Sequence, residues 1–135
     1  MAIVGKIRLG TIVWADVNDP NGDPIGEHPV VILSPQKEID AGQVLVGAVC
    51  TTSFSYPLAP GCFEMPSKPG PGGHEITGLE QACVVKGALL QPIPYANIRR
   101  IGKRALMSTV RQLQQWMRDE QQRRWGDPDE SGSIA

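Results

Sequence analysis

The stretch GTIVWADVNDPNGDPIGEHPVVILSP, followed closely by VLVGAVCTTS, most constrains what this chain can fold into. Thr11 to Val17 alternates Ile12, Trp14 and Asp16 on one side with Val13, Ala15 and Val17 on the other, the period of a strand with one well-buried face. Pro20, Gly22, Pro24, Gly26 and Pro29 then stand among acidic and amide residues, which interrupts helix and strand alike and predicts a long polar loop. Val30 to Leu33 is a mostly β-branched run suited to a central strand. Gln43 to Thr52 gives another, with Gly47 as a candidate bulge. The reading is two strands joined by a loop, then a third strand ending in Thr51, Thr52 and Ser53. It brings Asp23 and His28 from the loop toward the hydroxyls at that strand end.

Further along, Cys62 to Met65 is a strand-length fragment, and the Pro/Gly-rich segment Pro66 to Gly73 reads as a mobile loop inside the domain. Two more strands are expected at Ala82 to Lys86 and Leu89 to Ile93, with Pro92 and Pro94 ending the sheet. From Lys103 to Arg124 the period becomes helical, and Leu106, Val110, Leu113 and Met117 fall on one stripe. Gly126, Asp127 and Pro128 stop that helix, and residues 126–135 have the composition of a disordered tail. The expected fold is therefore mainly β: a small barrel of five to seven strands with a C-terminal amphipathic helix, one domain over residues 1–125.

A chain of 135 residues supports one hydrophobic core, and its 41% apolar content is that of a soluble globular protein. The longest apolar runs fall well short of the roughly 20 residues a membrane-spanning helix needs. MAIVGKIRLG lacks the plan of a signal peptide, so cytoplasmic residence is expected. Cys50, Cys62 and Cys83 are odd in number, widely spaced and without a Cys-x-x-Cys pair, which speaks against a disulfide framework or a zinc site. His28 and His74 add no ligand-type spacing, and no metal or other cofactor is expected.

The net charge of -1 conceals an asymmetry. Arg99, Arg100, Lys103, Arg104, Arg111, Arg118, Arg123 and Arg124 crowd into a segment whose only acids are Asp119 and Glu120. Such a block attracts RNA or an acidic protein partner through its local potential, and it equally suits a solvated helix face.

The order of these pieces resembles the MazF/PemK toxins of type II toxin-antitoxin systems. GTIVWADV is similar to their opening strand, GEHPVVILSP to their loop-to-strand motif, and VCTTS to their Thr-containing strand end. TGLEQACVVK and RRIGKRALMSTVRQL look like the late strand and terminal helix, so the likeness runs roughly from Gly10 to Met117. It implies an SH3-like barrel of the MazF/CcdB type and a homodimer. It also implies an acidic antitoxin, through which alone DNA would be met, and metal-independent cleavage of single-stranded RNA at short motifs. A minority lineage of the fold poisons gyrase, for which the Arg-rich helix end at Trp125 is the relevant feature.

Carried over residue by residue, the likeness departs from the family at its site. Most active members have Arg before the Pro of this motif, where His28 stands, whereas Thr51 keeps the Thr after the strand's Cys. Members that use a late-strand Arg and Asp are matched here by Gln81 and Cys83, and Lys86 matches a basic residue of some members.

RNA cleavage by the 2′-hydroxyl needs a proton acceptor, a proton donor for the leaving 5′-oxygen, and donors to the charged phosphorane. His28 suits proton transfer near neutral pH, with Thr51 as the implied phosphate donor. Asp23, Thr52, Ser53, Tyr56 and Lys86 are the candidate substrate contacts, Tyr56 by stacking on an unpaired base. Asp23 and Glu27 bracket Gly26 and can orient the imidazole, and in such turns acids also bond local backbone. Hydroxyls at a strand end commonly satisfy backbone groups where a ladder stops. Trp14 and Trp116 are placed in the core by their packing periods. The competing reading is a barrel without catalysis that binds nucleic acid or protein through its basic helix region.

Overall fold

The computed structural model describes residues 6–19, 21–59 and 61–125. The expected tail at 126–135 and the side chains of Arg124 and Trp125 lie outside the described residues. The elements are β1 (Thr11–Asn18), β2 (Pro24–Ile32), α1 (Gln36–Asp40), β3 (Leu45–Thr51), β4 (Cys62–Met65), β5 (Cys83–Ile93), a 3-10 turn (Tyr95–Asn97), β6 (Ile98–Arg104) and α2 (Met107–Trp125). The strands form one antiparallel sheet in the order β4-β5-β3-β2-β1-β6. This is the expected class: mainly β, small and barrel-like, with one long C-terminal helix. Among the described residues no helix is long and apolar enough to cross a membrane.

The sheet buries both of its faces. Ile12, Val31, Ala48, Cys50, Met65 and Val85 pack against Val110, Leu113 and Met117 of α2. Val13, Ala15, Val17, Val30, Ile32, Leu45 and Ile93 form a second core with Ile7 and with Ile39 of α1. Since successive strand residues point to opposite faces, β1 and β2 supply both cores in turn, which is why Val30, Val31 and Ile32 all reach 0% exposure. The near-continuous apolar run reports a strand covered on both sides, and the single buried face expected of β1 gives way to two.

Local chemistry explains several departures from the sequence reading. The polar loop expected before Val30 is a tight turn, and β2 starts at Pro24. Asp19 Oδ1 accepts hydrogen bonds from the amides of Asn21 and Asp23 at 2.9 Å each, and Gly22 adopts φ 88°. That side chain draws Asn21 and Asp23 into a hairpin bend, so the backbone of Gly26 to Pro29 is free to pair with β1 and His28 lies on a strand.

Gly47 is a close approach and not a bulge: a Cβ there would lie 2.5 Å from Val30 Cγ1. The shift in register falls instead between Ala48 and Cys50, against β5. One strand, β5, replaces the two expected after Ala82, and Pro92 lies within it opposite Val46. The sheet does not end there. The chain returns as β6, whose basic sequence IRRIGKR hides a strand of half-buried Ile98 and Ile101 paired with β1. Consequently α2 begins at Met107, and Leu106 stands 53% exposed ahead of it and not on the docking stripe.

The Pro66–Gly73 loop, expected to be mobile, is hydrogen-bonded to the segment that follows it. The amides of Lys68 and His74 both donate to the Leu79 carbonyl, at 3.0 and 3.1 Å. His74 Nδ1 accepts from the amides of Ile76 and Thr77 at 3.1 and 3.3 Å. The bend from His74 to Leu79 is thus held from both sides.

Candidate functional site

β2 pairs with β3 only from Val30 to Ile32, although it pairs with β1 from Pro24 onward. Past Val30 the two strands part, and Pro29, which has no N–H to donate, is the first residue outside their pairing. The gap is a cleft of about 250 Å³. Trp14 of β1, Glu27, His28 and Pro29 of β2, Cys50 of β3 and Cys83 of β5 line it, together with Thr52 and the segment Leu79 to Gln81.

Two of the expected site residues, His28 and Thr52, share this cleft. The half-buried imidazole has Nδ1 3.3 Å from the Gly26 carbonyl oxygen. A carbonyl only accepts, so that contact places the ring proton on Nδ1 and leaves Nε2 with the lone pair in the neutral form. The register sets His28 opposite Ala15, and Glu27 and Pro29 opposite Asp16 and Trp14. By strand alternation His28 therefore enters from the other side of β2 than Glu27 and Trp14.

The remaining candidates lie elsewhere. Thr51 Oγ1 accepts from the Ser53 amide at 3.0 Å, the strand-end turn that hydroxyls commonly make. Lys86 Nζ donates to the Ser53 carbonyl, and Tyr56 donates its hydroxyl to Glu64. Phe54 stands edge-on to Tyr56 at 5.3 Å. Together these form an exposed polar and aromatic cluster of their own, none of whose members lines the cleft. Asp23 is exposed in the β1–β2 turn, its amide on Asp19.

Cleft residues that the sequence reading placed otherwise are equally informative. Trp14 is half-buried and packs on the core beneath α2 as expected, yet it also borders the cleft, and the Arg100 guanidinium sits 4.7 Å from the centre of its ring. Such a pair contributes about 0.5–1 kcal/mol at an exposed site. The pairing of Trp14 with Arg100 across β1 and β6 puts both on one face, a signal hidden while β6 is read as the approach to a helix. Trp116, also half-buried, packs against Phe63 with centroids 5.7 Å apart, on the core face as expected.

The cleft's charge comes mainly from carboxylates. Glu27 and Glu80 are exposed at it, and Glu80 Oε1 accepts from the Gly72 amide at 3.1 Å, fixing that side chain to the neighbouring loop. Asp16, beside Glu27 on the same face, is held by Arg99 at 2.5 Å. At the floor the Cys50 and Cys83 thiols interact. Hydrogen bonding to Cys83, and then burial, push the Cys50 thiol up, while the bond from Cys50 holds Cys83 below the ordinary value against the effect of its own burial. Among the described residues, no three His, Cys, Asp or Glu side chains gather as ligands of one ion.

No protein-family model matches this chain, and no curated protein matches it.

Proposed function

We propose that the protein cleaves single-stranded RNA in this cleft, as the toxin component of a MazF/PemK-type pair. In this reading it works in the cytoplasm as a homodimer restrained by an acidic antitoxin. The observation that carries the proposal is that His28 and Thr52 line one open cleft beside the half-buried ring of Trp14. An unpaired base stacks on the exposed part of Trp14, and Arg100 approaches the adjoining phosphate. With the phosphate seated in the gap where β2 and β3 part, the 2′-hydroxyl attacks phosphorus, the Glu27 carboxylate takes its proton from one side of β2, and the protonated His28 gives a proton to the departing 5′-oxygen from the other. Thr52, the hydroxyl that lines the cleft, donates to a non-bridging oxygen, the part the family resemblance gave to Thr51.

Incubation of a long unstructured RNA with the protein and EDTA tests this, with His28→Ala beside it. The expected result is cleavage leaving cyclic phosphate ends and a loss of about 10²–10⁴ in rate for His28→Ala. RNA left intact by the unmodified protein would overturn the enzyme.

A second reading is favoured by the charge of the cleft. Glu27 and Glu80 face a space that a polyanion would enter, while Arg111 and Arg118 lie exposed on α2 away from it. Those features suit a barrel that binds nucleic acid or a protein through its basic surface without cutting. Salt-dependent RNA binding with no cleavage is the outcome that selects it.

A further inference from the structure

Cys50 and Cys83 come from β3 and β5, far apart in sequence, yet both lie in the floor of the cleft. The register explains their meeting. Cys50 stands opposite Val85 and Thr51 opposite Val84, so Cys83 sits one same-face step along β5 from Cys50's direct partner. Both side chains belong to the core beneath α2, with 0% and 1% exposure, and both are free. Cys62 follows a different course: β4 alternation puts it on the face opposite Phe63 and Met65, which pack with that core. Two thiols on one face of neighbouring strands, in one core cluster and bordering one cleft while almost wholly closed to solvent, form a site for only the smallest reagents.

We propose that Cys50 and Cys83 are a dithiol site for a small hydroperoxide, which oxidises them to a disulfide joining β3 to β5 beneath the cleft. The first step is attack by the Cys83 thiolate on the terminal peroxide oxygen: the O–O bond breaks, Cys83 becomes a sulfenic acid, and the departing hydroxide, or alkoxide from an organic hydroperoxide, takes up the proton the Cys83 thiol lost and leaves as water or alcohol. In the second, the Cys50 sulfur attacks the sulfenic sulfur, the S–O bond breaks, and the hydroxyl leaves as water with the Cys50 proton. Two thiols have lost two electrons in total and the peroxide has gained them. Cys83 is the attacking thiol because it keeps a trace of exposure, 1%, where Cys50 has 0%. The diagonal placement makes the link a strained one that a dithiol reductant reopens readily, as befits a responsive bond and not a structural one. The site does not depend on the nuclease reading.

The test counts thiols in the full chain after treatment with hydrogen peroxide and unfolding in a maleimide. Untreated protein labels at three cysteines, and oxidised protein is expected to label at one, Cys62. A peptide map then shows Cys50 joined to Cys83 and lost on reduction. Cys62→Ser is expected to form the same link. In Cys50→Ser, Cys83 is expected to accumulate as a sulfenic acid captured by a dimedone probe. Three labelled cysteines after peroxide, a link that includes Cys62, or chains joined to each other on a non-reducing gel would each overturn the proposal. Since the readings on unmodified protein and Cys62→Ser need no change at the pair itself, a folding defect in Cys50→Ser does not shelter it.

Discussion

A methyl group on Gly47 would lie 2.5 Å from Val30 Cγ1 and 2.8 Å from the Val31 carbonyl oxygen, one contact soft and the other backbone. The strands on either side cannot separate without disturbing both cores. Gly47→Ala is therefore expected to lower unfolding free energy by about 1–3 kcal/mol, read from the urea midpoint with the slope unchanged. Position within the cleft sets a second residue-scale expectation. Thr52 lines the cleft and Thr51 closes a backbone turn, so Thr52→Val is expected to lose more RNA cleavage than Thr51→Val in a single-turnover assay. Tyr56 supplies the pH dependence. Its bond to Glu64 raises the phenol above its ordinary value of about 10 by favouring the protonated form. A group raised in the fold contributes fully below its unfolded value and loses that contribution as pH rises through the folded one. Alkaline absorbance titration should show Tyr56 ionising late, and Glu64→Ala should return it toward the ordinary value.

At the scale of elements, legibility followed the amount of information each segment carries by itself. β1 was readable from its strand alternation, β3 from its apolar run and β4 as a strand-length fragment, and α2 because Val110, Leu113 and Met117 recur at helical spacing and all are buried. β6 was not, because its pairing with β1 is a long-range fact and Arg99, Arg100, Lys103 and Arg104 mask the two isoleucines. The start of β2 was hidden by prolines that a strand tolerates where it has a partner on one side only. The candidate site was half legible for the same reason. His28 and Thr52 could be singled out by residue type, whereas Trp14, Glu80 and the cysteine pair reach the cleft through register and loop contacts. The helix boundary gives a direct check. Leu113→Ala removes a side chain with 0% exposure and is expected to cost about 2–5 kcal/mol. Leu106→Ala should stay within about 0.5 kcal/mol in the same denaturation experiment, since Leu106 precedes α2 and is solvated.

Over the whole molecule, the basic block of the sequence divides into two tracts. Arg99, Arg100, Lys103 and Arg104 lie along the edge strand β6, and Arg111 and Arg118 lie on the exposed side of α2. Only the first adjoins the cleft, through Arg100 on Trp14. Within it, Arg99 is engaged by Asp16, Arg104 Nε by the Leu9 carbonyl at 2.9 Å and Lys103 by the Glu75 carbonyl at 3.2 Å. A backbone carbonyl leaves the cation its full charge for a phosphate, whereas the Asp16 carboxylate offsets most of that of Arg99. Arg100 and Lys103 should thus supply much of the attraction for RNA along β6. Each phosphate contact contributes about 0.7 to the slope of log affinity against log salt for a single strand. Removing both in Arg100→Gln/Lys103→Gln is expected to flatten that slope by about 1.4, while Arg111→Gln/Arg118→Gln leaves it nearly unchanged. Fluorescence anisotropy with an unstructured labelled RNA across a salt series measures both. If the α2 pair flattens the slope and the β6 pair does not, RNA lies on the helix and away from the cleft. The reading as a binding surface without catalysis then replaces the nuclease.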